Sequence, residues 1–106
     1  MSEQRKAPRA PLKVYVNKYV AGIPYMSRAS DISPEGVSLS TLIEPRCDER
    51  HVAIQFQLPE QEEVIYAEGE VVRQRLDALR EGSGIRFTLL TERHRRLIHQ
   101  FVEKNA

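Results

Sequence analysis

Residues 51–58, HVAIQFQL, put Val52, Ile54, Phe56 and Leu58 on one side of a chain whose successive side chains point to opposite faces. This is the cleanest alternation in the sequence, and a period of two fits a half-buried strand rather than a helix. The same period recurs upstream. In LKVYVNKYV, Leu12, Val14 and Val16 alternate with Lys13, Tyr15 and Asn17. Gly22 and Pro24 then suggest a hairpin into a second strand near Tyr25–Ile32. Ser33-Pro34-Glu35-Gly36 has the proline and glycine preferences of a type I turn, and GVSLS follows with Val37 and Leu39 on one face. Residues 44–50 carry Pro45 and five charges and read as a surface loop; Pro59–Glu63 reads as an acidic turn. VIYAEGEVVRQR supplies a fifth strand, in which Gly69 marks a bulge or bend, and GSGIRFTLL a sixth.

The period changes at Thr91. Leu97, Ile98, Phe101 and Val102 form one apolar stripe in TERHRRLIHQFVEK, with Thr91 as the cap and Glu92 in the first turn. Six strands followed by one amphipathic helix predict an all-β fold, a six-stranded antiparallel barrel with a C-terminal helix against it. Ahead of it, MSEQRKAPRAP has no apolar period, and Pro8 and Pro11 push Ala7 and Ala10 toward extended conformations. Residues 1–11 are therefore expected to be a flexible arm that adds nothing to the core, and residues 12–106 the barrel and helix of one domain.

Composition excludes several functions. Sixteen Lys and Arg against fifteen Asp and Glu leave a net charge of +1, less than a protein that blankets nucleic-acid backbone usually carries. The longest uncharged stretches, nine residues at 19–27 and at 51–59, are too short for a transmembrane helix. No basic-then-apolar leader opens the chain, so a cytoplasmic protein is expected, without membrane insertion. Cys47, the single cysteine, lies beside Arg46, Asp48 and Glu49 and is expected to be an incidental free thiol. His94 and His99 are five apart, roughly 140° from each other on a helix, and with His51 they match no metal-ligand spacing. No nucleophile motif is present, and GSG at 82–84 precedes a strand, where it cannot present a helix N-terminus to phosphate. Neither an enzyme nor a metal site is expected.

The charge is unevenly spread. Residues 1–28 hold Arg5, Lys6, Arg9, Lys13, Lys18 and Arg28 against Glu3, a balance of +5, while residues 29–70 balance to −8 and residues 71–106 to +4. The basic segment is where an anionic ligand would be sought. Within it, Arg5 and Arg9 are four apart in a segment that cannot be helical; their side chains would originate about 12 Å apart in a polyproline conformation, and a local bend could converge them on one dianion. Guanidinium binds phosphate, or the O6/N7 edge of guanine, through paired hydrogen bonds. Further on, Asp31 and Ser33 alternate at a strand end and project to the same side. A carboxylate suits the N1–H and N2–H₂ edge of guanine, a hydroxyl can donate to phosphate or close the turn, and Gly36 lets the chain turn tightly. Each set alone is common; an arginine pair, or an Asx-and-proline turn, needs no ligand.

Together, RKAPR and, 22 residues on, DISPEG resemble the RxxxR and [D/N]xSxxG motifs of PilZ domains, bacterial receptors for cyclic di-GMP. EGEVVRQR and GSGIRF are similar to two strands of that family, and ERHRRLIHQFVEK to its C-terminal helix. The resemblance implies that Arg5 and Arg9 contact phosphates and guanine Hoogsteen edges, Asp31 and Ser33 hold the base, and Gly36 shapes the turn. Gln4 stands where an extra arginine can favour a stacked ligand pair, and Arg73 where some relatives place an aromatic that stacks on a base; a guanidinium plane can stack there too, the alternative being an exposed strand arginine. The resemblance further implies that the arm orders over cyclic di-GMP and relays the signal to a separate effector protein. Motility, pili, exopolysaccharide and virulence are processes the family serves. The alternative it leaves is a PilZ-like adaptor that binds a protein partner and no nucleotide.

Overall fold

A computed structural model of the protein describes residues 8–41, 50–76 and 81–106. Among these residues, seven strands and one helix follow in order: β1 (Ala10–Pro11), β2 (Tyr15–Val20), β3 (Ile23–Ser33), β4 (Gly36–Thr41), β5 (His51–Phe56), β6 (Ile65–Leu76), β7 (Glu81–Leu90) and α1 (Glu92–Asn105). All pairings are antiparallel, in the order β1-β3-β2-β5-β6-β7-β4, and β4 returns to pair with β3. That last pairing closes six strands into a barrel and leaves none of them with an open edge.

The alternating residues do what their period requires. Val52, Ile54 and Phe56 of β5 are buried, as are Val37 and Leu39 of β4 and Ile85 and Phe87 of β7, and they fill the barrel from different sides. Removing such a side chain from water stabilises the fold by about 1.5–3 kcal/mol each. The inward position between Val16 and Val20 on β2 belongs to Lys18, which is buried and so withdrawn from the basic N-terminal surface. Arg28 is withdrawn differently, lying over the ring of its register partner Tyr15 at 5.6 Å from the centroid.

Two hairpin turns obey different rules. Ala21 and Gly22, both with positive φ (52° and 83°), form the two-residue loop between β2 and β3, the backbone of a primed hairpin turn. Pro34 and Glu35 connect β3 to β4, with Ser33 and Gly36 as the last register pair. Proline locks φ negative, so this loop takes the unprimed conformation expected of its sequence. A register shift between Glu68 and Gly69 shows the irregularity that Gly69 predicted.

The seventh strand corrects one expectation. Ala10 and Pro11 pair with Ile32 and Asp31, so the end of the arm joins the sheet, and Ala10 is fully buried. β1 and β2 lie end to end along the same edge of β3, and the residues between them stay bonded to β3 through Leu12 N–H to Ser30 O and Ala29 N–H to Val14 O. Alternation begins at Leu12, as read from the sequence, but the strand conformation is interrupted there and resumes at Tyr15.

Thr91 caps α1, its hydroxyl accepting the His94 backbone N–H at 3.1 Å. Ile98 and Val102 are buried, and the helix packs on β1 and β3. Its first turn is clamped to the acidic turn before β6. Glu63 accepts from Arg93 at both carboxylate oxygens (Nε at 3.0 Å from Oε1 and 2.9 Å from Oε2, Nη2 at 2.8 Å from Oε1) and lies 3.0 Å from His94 Nε2, while His94 Nδ1 accepts the Tyr66 N–H at 3.4 Å.

Candidate functional site

The site is built on the outer face of four adjacent strands. A β-bulge between Ala29 and Asp31 leaves both Ser30 and Asp31 outside the core, with Ile32 buried beneath. The two-residue loop then sets the register, with Asp31 opposite Ser38 and Ser33 opposite Gly36. On β7, Gly84 lies opposite Ser38 and Arg86 opposite Gly36. On β6, Glu70 lies opposite Arg86 and Arg73 opposite Gly84. Two rows of residues thus run across β3, β4, β7 and β6.

Arg9 reaches this face because the β1–β3 pairing carries the arm past the end of β3. Its Nε donates to Asp31 Oδ1 at 2.6 Å, with Nη2 also at 2.6 Å from that oxygen. Nη1 is 3.3 Å from Ser33 Oγ and Nη2 is 3.5 Å from Ser38 Oγ, both long contacts. One guanidinium from before β1 therefore touches three side chains of the β3–β4 hairpin. The Arg9 and Asp31 side chains are 41% and 39% exposed, and ion pairs at such exposure contribute about 0–1 kcal/mol. Exchanging one partner for a ligand is correspondingly cheap.

Ser33 is buried, and its hydroxyl accepts the Glu35 N–H at 3.1 Å, so of the two roles open to it the structure displays the turn-closing one. Gly36 has no positive φ; a Cβ there would run into the Ile85 carbonyl oxygen. Close approach of β4 to β7, rather than a tight turn, is what demands glycine. Arg9, Gly36 and Ser38 line one side of a groove of ≈ 390 Å³, with Val72, Gly84 and Arg86 on the other. Arg5 and Cys47 lie outside the described residues, and Arg73 is described only by its place on β6.

Two contributors escaped the sequence reading. Ser38 was legible in principle, because a two-residue loop at Pro34-Glu35 forces it opposite Asp31. Arg95, whose Nη1 donates to the Pro34 carbonyl at 2.6 Å, comes from 61 residues away, and no local pattern announces it. Among the described residues, no group of three or more His, Cys, Asp or Glu side chains could hold a metal ion. Among the described residues, too, no helix is long and apolar enough to cross a membrane.

A six-stranded antiparallel barrel with a C-terminal helix, carrying an arginine from an N-terminal arm onto an Asp-x-Ser hairpin, defines a class. The PilZ domain family matches residues 3–104, and the chain belongs to it. No curated protein matches. Among solved structures, the Bacillus subtilis inhibitor of motility MotI/DgrA superimposes with a TM-score of 0.85 at 15% identity, over 97% of this chain and 51% of that one. The chain thus spans about half the length of that relative. The PilZ domain of YcgR from Escherichia coli, solved with c-di-GMP, gives 0.73 at 14% identity over 97% of this chain and 92% of that one. The PlzA protein of Borreliella burgdorferi, in complex with c-di-GMP, gives 0.64 at 17% identity over 94% and 41%. At such identities the likeness establishes the fold alone.

Proposed function

We propose that this chain is a cyclic di-GMP receptor and that Arg9, Asp31, Ser33 and Gly36, with Arg5 from the arm, form its binding site. The observation that carries the reading is the convergence of Arg9 on Asp31, Ser33 and Ser38 at the edge of an open groove. A guanidinium and a carboxylate side by side offer what a guanine nucleotide needs, donors for phosphate or the Hoogsteen edge and an acceptor for the Watson–Crick edge. YcgR and PlzA, similar in fold, were solved with this ligand.

The ligand takes Arg9 from Asp31, and Asp31 turns to the base. β1 anchors the arm at Ala10, so residues ahead of it close over the groove while residues behind it stay in the sheet. α1 packs on β1, which directly follows Arg9, and on β3, which carries Asp31 and Ser33, and transmits the change to an effector protein. This is a receptor's chemistry, not an enzyme's, and it belongs in the bacterial cytoplasm. Motility is the process its likeness to the Bacillus subtilis inhibitor of motility favours.

Calorimetric titration with cyclic di-GMP, with GMP as control, tests the reading. Saturable binding of the dinucleotide with little response to GMP is expected. No heat at high ligand concentration, from a folded protein, would select the nucleotide-free adaptor instead.

A further inference from the structure

The groove has a second arginine that neither motif contains. Arg86 of β7 is 58% exposed and holds Glu70 of β6 through Nη2–Oε1 at 2.8 Å, with Glu70 itself 49% exposed. Its register partner on β4 is Gly36, which has no side chain to cover or engage it. Gly84, two residues earlier, faces Ser38 in the neighbouring row. The groove floor between Arg9 and Arg86 therefore includes glycine backbone at Gly36 and Gly84, with Val72 exposed along the β6 side. Two guanidiniums, each held by an exposed carboxylate, flank a floor in which Gly36 and Gly84 contribute no side chain and Ser38 a small one.

We propose that Arg86 is a further ligand-binding residue, and that the ligand extends from Asp31 on β3 across the glycine strip to β7. The inference rests on the reading of the groove as a cyclic dinucleotide site. Two strand spacings separate β3 from β7, about 10 Å, a span within the reach of a ligand with two bases and two phosphates. Arg86 contributes what a small, rigid floor cannot: a planar cation that grips a phosphate in a fork or stacks on a base. Val72 offers an apolar surface beside it. Glu70 holds the guanidinium in place without ligand and competes for it with ligand, as Asp31 does for Arg9.

The test is titration of wild type, Arg86→Ala, Arg86→Lys and Glu70→Gln with cyclic di-GMP, alongside thermal unfolding without ligand. Arg86→Ala is expected to weaken binding ten- to a hundred-fold, the loss typical of a charge-assisted contact, with an unchanged melting temperature. Arg86→Lys should recover part of that loss, since an ammonium keeps the charge and loses the planar fork. Glu70→Gln should tighten binding a few-fold by freeing the guanidinium. Wild-type affinity in Arg86→Ala overturns the inference while leaving the receptor reading intact. Equal weakening by Arg86→Ala and Glu70→Gln overturns it as well, because the pair would then matter only as a pair. Should Arg86→Ala not fold, the opposite signs expected of Arg86→Lys and Glu70→Gln decide the matter. Absence of binding by wild type removes the receptor reading itself.

Discussion

The Arg95 guanidinium donates to the Pro34 carbonyl oxygen at 2.6 Å, tying the C-terminal helix to the turn between Ser33 and Gly36. Helix and β3–β4 hairpin are thus joined at two places, by this hydrogen bond at the turn and by packing of α1 on β1 and β3. Glu35, next in the turn, presents its carbonyl to the Phe87 N–H at 2.9 Å, so the turn is also fastened to β7.

Arg95→Ala should cost about 1–2 kcal/mol of stability, the range for a hydrogen bond with one charged partner at an exposed site. Denaturant unfolding measures this. Amide hydrogen exchange at Glu35 and Gly36 should quicken in the variant while exchange at Ile54 is unchanged; a uniform acceleration would show a global loss instead.

Arg9→Ala and Asp31→Ala separate the two halves of the site. Arg9→Ala should weaken cyclic di-GMP about ten- to a hundred-fold while shifting stability by no more than about 1 kcal/mol, since its ion pair is exposed. Asp31→Ala should weaken cyclic di-GMP and leave cyclic di-AMP as poor as before, because adenine has no N1–H or N2–H₂ for a carboxylate to accept. Asp31→Asn should retain part of the binding through its amide oxygen. An Asn variant as inactive as Ala, with the fold intact, would show that the negative charge itself is required.

Glu63 makes the fold acid-sensitive. The Arg93 guanidinium hydrogen-bonded to its carboxylate, helped by His94, lowers its pKa from 4.5 to about 2 against the opposing effect of desolvation. A carboxyl with a depressed folded pKa stabilises fully above its unfolded pKa, and that stabilisation is lost as pH falls through the folded value. Stability should therefore decline between about pH 4.5 and pH 2 as the clamp on α1 protonates. Glu63→Gln should flatten this part of a stability-against-pH curve; a slope as steep as in wild type would assign acid sensitivity to other groups.

Gly36→Ala is expected to be the most damaging of these changes to the fold. The added methyl meets the Ile85 carbonyl oxygen, backbone rather than a side chain that can rotate away, and β4 must separate from β7. A loss of about 1–3 kcal/mol is the usual scale of such overpacking. Thermal unfolding without ligand measures it, and an unchanged melting temperature would mean the strands move apart freely.

Most of the fold was legible because burial on one face of a strand imposes a period that survives in the sequence. Val52, Ile54 and Phe56 predict a strand wherever that strand ends up in the sheet, and Thr91 followed by the Leu97–Val102 stripe predicts a capped helix. The hairpin at Pro34-Glu35 was legible for a similar reason, since proline's locked φ acts within four residues. Even the pairing of Asp31 with Ser38 follows from the length of that loop.

The β1 strand was not legible, because two residues carry no period and Ala10 becomes a core residue only when β3 and α1 lie on either side of it. Gly36 reads as a turn residue in sequence, yet its requirement is set by β7, some fifty residues away. Lys18 reads as surface charge, yet the pleat that places Val16 and Val20 inside carries Lys18 inside with them. The same holds for the site. The motifs name Arg9, Asp31 and Ser33, but the arrival of Arg86 and Gly84 beside them depends on the long-range pairing of β4 with β7. Residue type and local spacing determine what each segment can form; which segments meet is decided by long-range pairing, whose partners leave no local trace in the chain.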